Sequence, residues 1–144
     1  MTRRHWTITT HLTGRPRDVD VFLYDKLSHM RGAATRHSKA WETDPEGFAH
    51  AAAVTHGFRM FGILADGTEE EAARAAIIRF SRERITPEIV SHEVTHAAQH
   101  LYGLDCVGEG DKAKDHFDSA NETFAYLLGD LFSTVWGLAT ENAR

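Results

Sequence analysis

Residues Thr86 to Gly103 read TPEIVSHEVTHAAQHLYG, and the rest of the chain is interpreted from this stretch. Thr86 suits an N-cap, Pro87 the first helical position and Glu88 the positive end of the helix dipole. Gly103 offers a stop. At about 100° per residue, Val90, Val94, Ala97, Ala98 and Leu101 form one apolar stripe. His92, Glu93, His96, Gln99 and His100 fall roughly opposite. The spacing therefore predicts a helix with one face in a core and the other over a cleft. Within it, His92-Glu93-Val94-Thr95-His96 is an H-E-x-x-H sequence. Residues four apart lie one turn from each other, so His92 and His96 can offer two imidazoles to one zinc ion. Glu93, one step round, is in reach of a water polarised by that ion and is the candidate catalytic base.

Upstream, Trp6 to Leu12 alternates and is rich in β-branched residues, which predicts a strand ending at Gly14-Arg15-Pro16. Val19 to Tyr24 predicts a second strand. Asp25 is read as the cap of a helix reaching about His37, with Leu27, Met30, Arg31 and Ala34 at helical spacing. Ser38 to Gly47 is polar, and Asp44-Pro45-Glu46-Gly47 predicts a turn. Phe48 to Phe58 is ambiguous: its alanines favour helix, while its flanking glycines and Val-Thr pair favour the strand adopted here. Met60 to Leu64 is expected to continue a hairpin across Gly57. Asp66 to Ala75 is acidic, with one helical turn expected. Ala76 to Arg84 alternates Ile78 and Phe80 against Arg79 and Ser81, as a strand with one wet face does.

Downstream, Leu104 to Lys112 is a glycine-containing loop, and a long helix is expected from about Ala113 to Leu138. Phe117, Ala120, Phe124, Leu127, Leu131, Val135 and Leu138 form its apolar stripe. The expected fold class is α+β: a small, mostly antiparallel mixed sheet packed on the histidine-bearing helix and the long C-terminal helix. With 144 residues, the chain is expected to form a single domain over 1–144.

Composition narrows the function classes. The formal charge of −5 weighs against nucleic acid as a main partner. Cys106, the single cysteine, excludes an internal disulfide and fits a reducing compartment. No apolar run follows the basic start, so no signal peptide is expected. The most apolar run, Phe124 to Ala139, is short for a membrane span and carries Asp130. A cytoplasmic protein without membrane contact is expected.

A catalytic zinc takes three protein ligands and leaves a fourth position to water. Glu122 is the expected third ligand. It lies off the apolar stripe of its helix, beside Asp118, Tyr126, Gly129 and Ser133. His100 lies about 12 Å along the helix from His92, too far for a shared ion, and is read as a cleft-wall or supporting group. His116, Asp118, Asp115 and Cys106 are the other candidates.

H92-E93-V-T-H96, followed by N121-E122-T-F-A-Y-L-L-G, resembles the zincin metallopeptidases of the glutamate-ligand branch (gluzincins). It resembles most closely the small zincin-like proteins of tailed bacteriophages, mainly over Ile85 to Trp136. The metzincin pattern is not met: Gln99 and Tyr102 stand where its glycine and third histidine would be. Tyr126 stands where gluzincins usually carry a carboxylate that orients the first histidine, leaving Asp118 or Asp130 to be tested for that task. The resemblance implies zinc-assisted amide hydrolysis of a peptide or protein substrate, in a host cytoplasm if phage-encoded. His92, His96 and Glu122 would hold Zn2+, with Glu93 as base and then acid. Tyr126 would be the oxyanion donor, with His116 and Tyr102 as rivals. Substrate would align along a sheet edge, supplied by Phe48–Phe58 or by Ala76–Arg84. The alternative is a catalytically idle zincin fold that binds a host or viral partner. A DNA-associated role is the weakest reading, because no basic patch is visible.

Overall fold

The computed structural model describes residues 2–40 and 48–143. Strand β1 (Arg3–Thr10) pairs antiparallel with β2 (Arg17–Tyr24), whose chain then enters helix α1 (Leu27–Ala40). Next come β3 (Ala53–Gly57), a hairpin of β4 (Phe61–Ile63) and β5 (Glu69–Glu71), and β6 (Arg74–Ser81). Helices α2 (Pro87–Cys106), α3 (Ala113–His116) and α4 (Glu122–Ala143) complete the chain. The sheet order is β1-β2-β6-β3, with β2 and β6 parallel and β3 antiparallel to β6. The fold is α+β with a small mixed sheet.

Alternation along the strands divides the sheet into two faces. Ile8, Val19, Val21, Leu23, Ala76, Ile78 and Phe80 pack against α2 and α4 through Val90, Val94, Ala97, Ala98, Leu101, Leu127, Leu131 and Val135. Tyr24 and Val54 meet Met30, Ala33 and Ala34 of α1 on the other face. The apolar stripe expected of α2 is thus entirely buried.

Several boundaries differ from the sequence reading. Asp25 does not cap α1. It pairs with Arg82 at 3.3 Å, and the Leu27 amide donates to Glu83 Oε2 at 2.7 Å. The segment 48–58 is a strand only over its last part. Met60–Leu64 does not pair with β3: β4 pairs with β5, built from the acidic run expected to be helical. Strand β6 lies between β2 and β3 and has no wet face; even Arg79 is only 8% exposed. Helix α2 runs past Gly103 to Cys106. The long C-terminal helix is broken, because Asp118 Oδ1 accepts from the Ala120 amide and Asn121 Oδ1 from the Phe124 amide, starting α4 afresh. The turn expected at 44–47 lies outside the described residues.

Candidate metal centre

Helix α2 begins as its sequence predicts. Thr86 is extended, and its hydroxyl accepts from the Ile89 amide at 3.2 Å. Fixing that end and burying the Val90–Leu101 stripe sets the helix rotation, and the rotation aims the histidines. His92 Nε2 and His96 Nε2 stand 3.1 Å apart, their rings edge-to-face. Zn–N bonds of about 2.0–2.1 Å put two imidazole nitrogens on one ion roughly 3 to 3.5 Å apart, so the spacing fits a shared ion. The His92 side chain is 68% exposed, so the pair faces solvent.

Glu93 is 7% exposed, with Oε1 4.0 Å from His92 Nε2. Thr55 Oγ1 donates to Glu93 Oε2 at 2.6 Å and lies 3.1 Å from the Glu93 carbonyl. A carboxylate confined this way keeps one oxygen towards the histidines while the other is satisfied. Thr55 sits on β3, the edge of the sheet beside α2, and β3 and α2 enclose a cleft of about 440 Å³. Ala53, Thr55 and Gly57 form one wall; Glu93, His96 and His100 form the other. His100 belongs to that wall: its Nε2 donates to the Phe58 carbonyl at 3.1 Å, and its ring presses on Gly57. A Cβ at position 57 would lie 2.5 Å from that ring, so close approach requires the glycine. Among the described residues, the strand within Phe48–Phe58 is an edge of the sheet, whereas β6 is paired on both sides.

Glu122 is not brought to the histidines. It is exposed in the first turn of α4, and the α4 side chain beside His92 is Phe132, about 15 Å further along the axis. The two helices take this register because the Leu127, Leu131 and Val135 stripe packs into the core while Phe124 meets Tyr102 edge-on. Among the described residues, no three histidine, cysteine or acidic side chains converge on one point. Two donors are therefore in place where a catalytic zinc takes three.

The other candidates are engaged elsewhere. Tyr126 is 67% exposed and lines a separate depression with Thr9, Leu12 and Asp130. His116 joins the Tyr102 hydroxyl at 3.1 Å and Asp111 at 2.8 Å. Asp118 serves its own turn, and Asp115 is exposed on α3. Burial and then Asp105 push the Cys106 thiol up, which disfavours a thiolate ligand. Thr55 escaped the sequence reading: β alternation was visible around it, but not the helix it faces.

No protein-family model matches the chain, and neither does any curated protein or solved structure.

Proposed function

We propose that the chain is a zinc-dependent metallopeptidase-like protein that hydrolyses a peptide bond in the cleft between β3 and α2. One observation carries the reading: the His92 and His96 Nε2 atoms lie 3.1 Å apart on an exposed helix face, next to a carboxylate anchored by Thr55. His92 and His96 would hold the ion, which supplies Lewis acidity and makes water acidic enough to be deprotonated near neutral pH. Glu93 takes the proton of the attacking water and passes it to the leaving amine. Thr55 keeps the Glu93 carboxylate from rotating out of reach. The free edge of β3 offers main-chain groups to an extended peptide, in the manner of an added strand. Glu122 and Tyr126, the expected third ligand and oxyanion donor, join this site only if the first turns of α4 approach the histidines when the ion binds.

A second reading, a zincin-like fold that binds a partner without catalysis, is favoured by the two-donor geometry. Elemental analysis of the purified protein separates the two. The peptidase reading expects about one zinc per chain in wild type, loss of that zinc in His96→Ala, and full zinc without turnover in Glu93→Gln. Zinc loss in Glu122→Ala would bring α4 into the site. Wild type without metal after zinc addition would overturn the peptidase reading.

A further inference from the structure

The face of the sheet turned away from α2 carries a second polar feature. Strand register sets His5, Phe22, Arg79 and Val54 in one row across that face. Helix α1 covers the Tyr24 and Val54 side of it. Arg79 lies at the border of the covered region and is 8% exposed. Its guanidinium sits 5.7 Å from the Phe22 ring centroid, and its Nη1 is 3.2 Å from His56 Nδ1. Arginine only donates, so Nδ1 accepts, and the His56 proton resides on Nε2, 3.2 Å from Ser38 Oγ. Among the described residues, Arg79 Nε is buried with no hydrogen-bond partner.

No carboxylate of the described residues forms an ion pair with Arg79. Asp20, the buried acid on the same face, is already taken by His5, Thr7 and Arg74. Burial holds the Arg79 pKa below its ordinary value; Tyr24 opposes this, while Arg74 and Arg3 add to it. His37 lies against His56 with ring centroids 4.1 Å apart. Burial, then His37 and Arg79, hold His56 at about 4. A guanidinium shielded from water with no counter-charge is costly, and such a group is normally met by an anion.

We propose that Arg79, His56 and His37 form a binding site for a small oxyanion, the phosphate or carboxylate group of a ligand, on the face of the sheet opposite the histidine pair. The geometry suits it: the Arg79 fork gives Nη1 to His56, keeps an N–H to spare beside the Phe22 ring, and has the His56 and His37 rings alongside as walls. The proposal is independent of the metal centre, since β3 turns Thr55 to one face and His56 to the other.

The test titrates the full chain with sodium phosphate and, separately, sodium acetate, with sodium chloride holding ionic strength constant. Histidine ring signals are followed by NMR and the melting temperature is recorded. The proposal expects saturable shifts of the His37 and His56 rings, with a rise in melting temperature and with His92 and His96 unmoved. Saturation by phosphate alone identifies a phosphate site; saturation by both salts identifies a general oxyanion site. Arg79→Met should weaken binding about tenfold or more. Responses that only track ionic strength, or an Arg79→Met protein that folds and binds as wild type does, overturn the proposal. If Arg79→Met does not fold, the wild-type histidine shifts decide alone: saturation at His37 and His56 supports the site, and its absence overturns it.

Discussion

The two ends of α2 treat ionisable groups in opposite ways. At its C-terminal end, the Asp105 side chain is 5% exposed and accepts from Arg17 Nη2 at 2.6 Å, Arg17 Nε at 2.9 Å and Thr13 Oγ1 at 2.6 Å. Arg17, itself 1% exposed, also reaches Glu71 at 2.9 Å. This cluster joins α2, β2 and the β5 strand, and its charges are matched within the protein. One turn into the same helix, His92 is open to solvent, and its Nε2 faces another imidazole nitrogen. Groups that satisfy one another hold a fold together; basic nitrogens that converge without an acid between them suit an added ligand.

The sharpest break of this comparison is Asp105→Ala. It leaves the buried Arg17 guanidinium with Glu71 as its remaining carboxylate partner and is expected to cost about 2–3 kcal/mol by urea denaturation. A loss below about 1 kcal/mol would show that the cluster is not what ties α2 to the sheet. Acid gives a smaller and graded effect. Burial alone would raise the Asp105 carboxyl, but Arg17 and Thr13 outweigh it and hold it below its ordinary 3.8. Glu71 is likewise held below 4.5, with Arg59 and Arg17 overcoming burial. Both folded values are depressed, so the unfolded chain binds more protons. Their stabilisation is present above about pH 4.5 and is lost as pH falls through the folded values. Urea midpoints measured from pH 5 to 2 should fall, and Asp105→Ala should flatten that decline. The smallest effect is expected at the other end of the helix: His92→Ala, removing an exposed side chain, should leave metal-free stability within about 0.5 kcal/mol of wild type. A larger loss would mean that the histidine pair is itself structural.

These contrasts also mark how far the sequence could be read. The start of α2, its buried stripe and its polar face were legible, because N-cap chemistry and a 3.6-residue period act within one element. The end of α2 was not, because Gly103 is tolerated inside a helix whose next turn is tied down by the Arg17–Asp105 bonds. The break before α4 was lost for a related reason: the apolar stripe runs through it, while Asp118 and Asn121 satisfy backbone amides locally and restart the helix. In β6, Arg79 was read as a wet position because it is charged, yet it is interior. Polarity in an alternating strand marks exposure only when that face lacks a cover, and here α1 and neighbouring rings supply one.

The candidate site divides in the same way. The sequence by itself determined the α+β class, the Thr86–Pro87 helix start and the pairing of His92 with His96, since all of these depend on residues within a few positions of each other. Only the tertiary structure decided that Thr55, 38 residues away, anchors Glu93, and that Arg17, 88 residues away, closes on Asp105. It also decided that Phe132, and not Glu122, lies beside His92. Those neighbours follow from strand order, sheet register and the slide of α4 along α2, which are set by the packing of the whole core and leave no periodic trace in the chain.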